Sequence, residues 1–271
     1  MKMLRFTTAL LGLIFLLSAC DDFEIRPVEP EAPATFEPPA DGQDLRSFLQ
    51  GNNLREQRDS LIACAFSGNH AFLPAGLGAD ARILAYSYFP EGEFFYFHST
   101  DRTAPSDNLS HYVFRRPLGA RSVADGFFEV LPMVQPAAGA FERVMVVRVI
   151  GGTAYLSNTI FLKGTDVRTA SFSGQLDMTA AAGGNPSFAW PGEPGDNVIY
   201  FQLLTDGNDR VVSGTYTTEP RFTFYETINV VLNVSPGTPP TSLPASGGPY
   251  RMTVMGVGEN NWVNFIRDVG F

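Results

Sequence analysis

One stretch decides the fold class of this chain: Arg143-Val-Met-Val-Val-Arg-Val-Ile150, then Gly151-Gly152, then Thr153-Ala-Tyr-Leu-Ser-Asn-Thr-Ile-Phe-Leu162. Two runs of mostly β-branched and apolar residues flank a loop of two glycines. Such a loop suits a primed turn, because both central residues of a type I′ turn take positive φ values that glycine adopts without strain. The stretch therefore predicts a β-hairpin with strands over 141–150 and 153–162.

Short strands are predicted along the rest of the chain as well, separated by turn residues drawn from 26 glycines and 20 prolines. One short helix is expected over 45–50, with Asp44 as its N-cap. Seven strands in each half favour an all-β fold of two tandem antiparallel β-sandwiches. The remaining strands are predicted at 61–67, 82–89, 93–99, 111–115, 126–131, 171–178, 187–190, 198–205, 210–217, 222–234, 250–257 and 261–269.

The N-terminal segment has the features of an export signal. Lys2 and Arg5 precede an apolar run over 9–17, and small residues then lead to Cys20. A positive start, a short apolar core and small residues before a cleavage point describe a secretory signal peptide. A membrane-spanning helix needs about 20 apolar residues, and this run is shorter and ends at Asp21-Asp22.

The four residues Leu17-Ser18-Ala19-Cys20 resemble the lipobox of bacterial lipoproteins. The resemblance implies that residues 1–19 are removed and that Cys20 becomes the lipidated first residue, so that the membrane is a partner. One acyl chain binds a bilayer only marginally, whereas two or more hold it firmly. The alternative is an ordinary signal peptide with a cysteine near its end by chance. Asp21 resembles a retention signal that only enteric bacteria follow, so inner or outer membrane is left open.

An acidic, proline-rich segment follows over 20–44. It contains five prolines and eight acidic residues against a single basic residue, Arg26. Such a composition buries too little apolar surface to order itself, and it stays extended. We expect a tether that reaches on the order of 70 Å from the bilayer. The body then divides into 45–168 and 169–271, because Gly164-Thr-Asp-Val-Arg-Thr-Ala170 lacks a strong apolar pattern.

The second body carries a resemblance of its own. Phe188-Ala-Trp190, Val198-Ile-Tyr-Phe-Gln-Leu203 and Leu243-Pro-Ala-Ser-Gly-Gly-Pro-Tyr250-Arg-Met-Thr-Val254 resemble the tryptophan strand, the following strand and the leucine-then-tyrosine approach of fibronectin type III domains. The first body resembles them more faintly. The resemblance implies fibronectin type III-like or immunoglobulin-like sandwiches in both halves.

Charge and cysteine content narrow the partners. The net charge is −9, or −11 once Lys2 and Arg5 leave with the signal. An acidic chain is a poor partner for nucleic acid. Of the two cysteines, Cys64 would be left alone, so no internal disulfide is possible. Cys64 is either a small buried residue or a reactive thiol that could pair with another chain.

The search for chemistry finds no catalytic or metal motif. His70, His98 and His111 stand at no ligand spacing, and no cofactor fingerprint occurs, so we expect no cofactor, no metal and no enzyme activity. Asp206-Gly207-Asn208-Asp209 is either a tight turn or, less well matched, a calcium loop. Glu91 and Glu93 are acidic turn residues rather than a carboxylate pair across a cleft.

The most aromatic stretch, 86–98, provides the one candidate ligand surface. Tyr86, Tyr88, Phe95 and Phe97 could share one face of two strands. They form either a stacking platform for a sugar or apolar ligand, or the core face of a sandwich. The sequence predicts a non-catalytic, lipid-anchored protein of the bacterial cell envelope that binds another envelope protein or acts as a spacer. A carbohydrate-binding module is the alternative.

Overall fold

A computed structural model describes most of the chain after residue 35. The ranges are 36–58, 60–70, 81–87, 92–99, 105–116, 121–123, 128–173, 176–180, 186–191, 196–208, 210–224 and 248–271, with the single residues 73, 101, 103 and 243. Cys20, the signal peptide and the first part of the tether lie outside these ranges.

The helix forms where it is predicted. α1 (Leu45–Gly51) begins after Asp44, whose carboxylate accepts hydrogen bonds from the Ser47 N–H at 2.9 Å and from the Ser47 hydroxyl at 2.6 Å. This N-cap occupies a donor that the first helical turn cannot pair internally. One face of α1, with Leu45 and Phe48, is fully buried.

The first half forms two sheets. Sheet A has the strand order β1-β9-β8-β4-β5 with β10 beside β8, and sheet B has the order β2-β3-β7-β6. All pairs are antiparallel except β1 with β9. The strands are β1 (Arg55–Gln57), β2 (Leu61–Ser67), β3 (Ala81–Ser87), β4 (Glu93–Ser99), β5 (Val113–Phe114), β6 (Arg121–Val123), β7 (Phe128–Met133), β8 (Phe141–Ile150), β9 (Thr153–Leu156) and β10 (Ile160–Lys163).

The Gly-Gly hairpin is confirmed. Ile150 pairs with Thr153, and Gly151 and Gly152 both have positive φ, 51° and 77°. The single strand predicted over 153–162 is wrong, because it is broken between β9 and β10. There the Asn158 amide turns to sheet B and bonds both the N–H and the carbonyl of Ala63, at 2.9 and 2.8 Å.

The second half repeats the two-sheet plan. Sheet C has the order β11-β18-β17-β14-β15, and sheet D has the order β12-β13-β16. Only β11 with β18 is parallel. The strands are β11 (Ala170–Ser173), β12 (Asp177–Ala180), β13 (Pro186–Ala189), β14 (Asn197–Thr205), β15 (Val211–Thr217), β16 (Arg221–Thr223), β17 (Arg251–Gly258) and β18 (Val263–Gly270). The all-β fold class is thus confirmed.

Successive side chains of a strand point to opposite faces of its sheet. Each sheet can therefore pack against a neighbour on either face through a shared core. The helix core lies between α1 and sheet A, the A/B core and the B/C core lie on opposite faces of sheet B, and the C/D core lies between sheets C and D. Along β2, Ala63 and Ala65 belong to the A/B core and Phe66 to the B/C core. The B/C core consists of Phe66, Leu84, Phe128 and Val130 from the first half and Leu203, Met255, Val257, Val263 and Ile266 from the second.

The turn between β17 and β18 is embedded in the first half. Asn260 and Asn261 accept backbone hydrogen bonds from Phe161 and Ala65 at 3.0 and 2.9 Å. The Asn261 side chain donates to the Thr159 carbonyl at 2.8 Å. Trp262 follows them into the A/B core and is 1 % exposed.

A hydroxyl pair closes the same junction. The Thr169 N–H donates to Ser67 Oγ at 2.8 Å, and the Ser67 N–H donates to Thr169 Oγ1 at 2.9 Å. Thr169 Oγ1 in turn donates to the Val263 carbonyl at 2.8 Å. We call the B/C core together with these crossing bonds the seam.

The predicted boundary at 168–169 separates the sheets of the two halves but not their cores. The four sheets respect that boundary, since sheets A and B use residues 55–163 and sheets C and D use 170–270, although an isolated bridge between Ala65 and Trp262 crosses it. The B/C core extends across the boundary, and residues 34–271 form one compact unit. The predicted tether also ends earlier than 44: the Phe36 ring lies 5.7 Å from that of Phe95, and the Glu37 N–H donates to Asn52 Oδ1 at 2.7 Å.

Truncation of Leu84 tests whether the halves unfold together. Leu84 is 4 % exposed in the B/C core, so Leu84→Ala should cost about 2–5 kcal/mol. Urea unfolding followed by circular dichroism and by tryptophan fluorescence should show one coincident transition at a lower midpoint. Trp190 reports the C/D core and Trp262 the A/B core.

Ile62→Ala, at a 39 % exposed position of β2, is the control and should change the stability by about 0.5 kcal/mol or less. Two separate transitions would contradict the shared core.

Candidate functional site

The aromatic stretch over 86–98 is divided between two faces of sheet A and one strand of sheet B. Phe95 and Phe97 are 6 % and 0 % exposed and belong to the helix core. Their rings lie 5.6 and 5.7 Å from that of Phe48. These two rings therefore match the core alternative, and no sugar can stack on them in this arrangement.

The other two members of the predicted platform are not described as side chains. Tyr86 lies in β3, and its side chain is outside the described part of the structure, as is all of Tyr88. The carbohydrate hypothesis therefore depends on these two tyrosines alone.

Tyr96 and His98 lie on the opposite face of β4, toward sheet B. Tyr96 is fully buried in the A/B core, and its ring stacks on that of His98 with centroids 6.1 Å apart. Burial raises the pKa of the Tyr96 hydroxyl, so it stays protonated at neutral pH. Among the residues that the structure describes, Tyr96 Oη has no hydrogen-bond partner.

A histidine–carboxylate–arginine cluster borders Tyr96. Glu142 Oε2 lies 3.6 Å from His98 Nδ1 and 3.6 Å from an Arg115 guanidinium nitrogen. The side chains of His98 and Glu142 are only 12 % and 14 % exposed. The contact with His98 lowers the pKa of Glu142, burial opposes that effect, and the Arg115 charge adds to the lowering.

This cluster places a carboxylate beside an imidazole at a distance too long for a hydrogen bond, and it does not by itself supply a nucleophile. The sequence singled out His98 but not Glu142 or Arg115. The three residues are far apart in the chain, and neighbouring strands of sheet A bring them together. No spacing rule would have found them.

Other predicted candidates have structural roles. Asp206 Oδ1 accepts hydrogen bonds from the N–H groups of Asn208 and Arg210 at 2.9 and 3.0 Å, so its carboxylate closes the turn. Asp209 and Glu91 lie outside the described residues. Exposed His111 pairs with Asp101 at 3.0 Å. In the part of the chain that the structure describes, no three His, Cys, Asp or Glu side chains are placed to hold a metal ion.

Two grooves lie beside α1. One has a volume of 280 Å³ and the other of 880 Å³. Their ionisable lining residues, Arg46 and Glu56 in the first and Glu37 and Asp41 in the second, are all exposed. A ligand site usually encloses its few polar groups in a cleft, whereas the ionisable groups of both grooves are open to solvent.

Cys64 is half-buried against the B/C core. Burial raises the pKa of its thiol to about 12, which leaves almost no thiolate at neutral pH. Because the thiolate is the nucleophile, this environment favours the interpretation of Cys64 as a small core residue.

Comparison with known proteins adds no relative: no family model matches the chain, and no curated protein matches it either. The class that the fold defines is an all-β sandwich protein. Within the described residues, no helix is both long and apolar enough to cross a membrane.

The Glu142 cluster predicts a specific acid sensitivity. A lowered pKa means that Glu142 stabilises the fold above its usual value of 4.5, and that this contribution is lost as the pH falls through the folded pKa. Glu142→Gln should cost up to about 1 kcal/mol at pH ~7, and the difference from wild type should shrink at pH ~3. Urea unfolding at both pH values measures it. Glu219→Gln, which removes an exposed pair with Arg221, is the control. A loss of stability in Glu142→Gln that is equal at both pH values would contradict the ion pair between Glu142 and Arg115.

Cys64 should react slowly in the folded protein. The pKa rises from 9.0 to about 12, so at pH ~8 an aromatic disulfide reagent should modify it about a thousandfold more slowly than in guanidinium chloride. Cys20→Ser protein leaves Cys64 as the only thiol. Fast reaction of the folded protein would show that Cys64 is a reactive thiol.

Proposed function

We propose that this chain is a non-catalytic, lipid-anchored protein of the bacterial cell envelope, whose β-sheet body binds another envelope protein or holds one at a distance from the membrane. The observation that carries the spacer or docking role is the seam, because it joins both halves of 34–271 into one unit.

The anchor is supported by the order of features around Cys20. A positively charged start, an apolar run and small residues end at this cysteine, and acidic sequence begins directly after it. Two or more acyl chains at one residue would make the attachment firm. Residues 21–35, all before the described body, would span about 45 Å in a polyproline II conformation.

The body supports a spacer or docking role. Two independent sandwiches would bend at a linker, whereas here the connection over 164–169 is itself held. Gln135 Nε2 donates to the carbonyls of Gly164 and Val167 at 2.8 and 2.9 Å. A body without a hinge at its middle transmits position from one end to the other, which a spacer requires.

The polar groups at the junction also fit a non-catalytic role. Asn261, Ser67 and Thr169 are all engaged in hydrogen bonds within the fold. Buried polar groups of this kind specify the arrangement of sheets rather than meet a substrate.

A fibronectin type III-like class for the second half is part of the proposal. Trp190 is 4 % exposed, and its ring lies 5.6 Å from that of Tyr200. Tyr250 belongs to the same C/D core, and Leu243 packs against it. This packing supports the resemblance of the three quoted sequence runs.

Replacement of Cys20 tests the proposal. Wild-type protein expressed in a bacterium with lipoprotein processing should partition into detergent and show the mass of acyl chains added to the chain from residue 20. Cys20→Ser should stay in the aqueous phase. Both proteins should have the same circular dichroism, since Cys20 precedes the body.

The docking role is tested in the same preparation. Affinity purification of the wild type from detergent-solubilised envelopes should retain a stoichiometric envelope protein, and the Cys20→Ser body should bind that protein once it is purified. Aqueous partitioning of the wild type would contradict the anchor, and absence of any partner would count against both the docking role and the spacer role.

A further inference from the structure

Ionisable side chains from both halves lie beside the B/C core, where His70 is buried and Asp268 is half-buried. His70 follows β2, and its ring lies 5.6 Å from that of Phe66. Asp268 in β18 pairs with Thr253 in β17, two residues from the core pair Met255 and Ile266. His70 and Asp268 interact electrostatically with each other, and Arg82 and Arg251 also act on them.

Arg82 holds the loop that carries His70. Arg82 is fully buried, and its guanidinium donates to the Gly68 carbonyl and, at 2.6 Å, to Asn69 Oδ1. Gly68 has a φ of +89°, which favours glycine. These bonds fix the loop against sheet B and thereby place the backbone of His70 beside the seam.

The hydrogen bond of His70 identifies the nitrogen that would take up a proton. His70 is 7 % exposed, and its Nε2 lies 2.9 Å from the Ser67 carbonyl oxygen. A carbonyl only accepts, so Nε2 carries the hydrogen of the neutral ring and Nδ1 is the basic nitrogen. Burial lowers the pKa of His70 below 6.5, the Ser67 bond and Asp268 oppose that effect, and Arg82 adds to it.

Asp268 is also biased toward its neutral form. Burial raises its pKa above 3.8, against the Thr253 hydroxyl, which donates to it at 2.6 Å, and against the charges of His70 and Arg251. With the seam closed, both groups resist charge because little water reaches them.

We infer that His70 makes the seam acid-sensitive, so that sheet C loosens from sheet B as the pH falls from about 7.5 to about 5.5. In an opened seam, a solvated His70 binds a proton near its usual pKa of 6.5. The closed seam binds it less readily, so a falling pH favours opening. One such group raises the opening constant by at most about tenfold over this range.

Asp268 acts in the opposite direction. Opening returns its raised pKa toward 3.8 and releases a proton, which opposes opening in acid. The carboxylate therefore moderates the histidine, and its removal should leave the pH response of the seam unchanged or steeper.

Hydrogen exchange at amides that cross the seam measures this opening. The Ala65 N–H bonds to the Asn261 carbonyl, and the Thr169 N–H bonds to Ser67 Oγ. After correction for the intrinsic exchange rate, their protection in the wild type should fall by up to about tenfold from pH ~7.5 to pH ~5.5. Amides of the β8–β9 hairpin serve as an internal reference.

Two histidine variants test whether His70 is the group that makes the seam acid-sensitive. His70→Gln can still donate to the Ser67 carbonyl but cannot take up a proton, so its seam protection should not change over this range. His111→Gln, at an exposed position paired with Asp101, should behave like the wild type. Equal loss of protection in His70→Gln and wild type, or no loss in wild type, would overturn the inference.

If His70→Gln does not fold, Asp268→Asn provides a second test of the inference. This variant retains His70 and removes its moderating carboxylate. A fall in seam protection at least as large as that of the wild type supports the inference, and a flat response overturns it.

Discussion

The apolar contact between sheets B and C is the constraint on which the rest of the structure depends. Burial of Phe66, Leu84 and Met255 between the two halves leaves each central sheet with both faces covered. Apolar burial contributes roughly 25 cal/mol per Å², so a face of this kind would be costly to leave in water. The second sandwich therefore completes the core of the first and does not simply follow it on a linker.

Polar side chains determine how the two halves are placed. Ser67, Thr169 and Asn261 supply donors and acceptors where strand ends and a turn would otherwise bury unpaired backbone groups. A buried unpaired group costs about 1–3 kcal/mol, so each bond of this kind excludes alternative placements of the β17–β18 turn. Apolar burial supplies the driving force of the seam, and these bonds supply its specificity.

The packing of these side chains supports the proposed mechanical role. Aromatic rings that could have formed a ligand platform, Phe95 and Phe97, support α1 from beneath. The histidines are distributed between the seam, one end of the A/B core and the surface. The junction containing His70 and Asp268 gives the body a means of responding to acid, because charge there is poorly solvated.

The sequence by itself determined the all-β class, the Gly-Gly hairpin and the Asp44-capped helix. Those features follow from local rules: alternation, glycine conformational freedom and side-chain capping. Only the tertiary structure decided that Phe95 and Phe97 are core, that Glu142 meets His98, and that residues 36–44 belong to the body. Only it showed that two halves with separate sheets share a core. Contacts such as Ala65 with Asn261 join residues distant in the chain, and local pattern carries no information about which apolar face meets which.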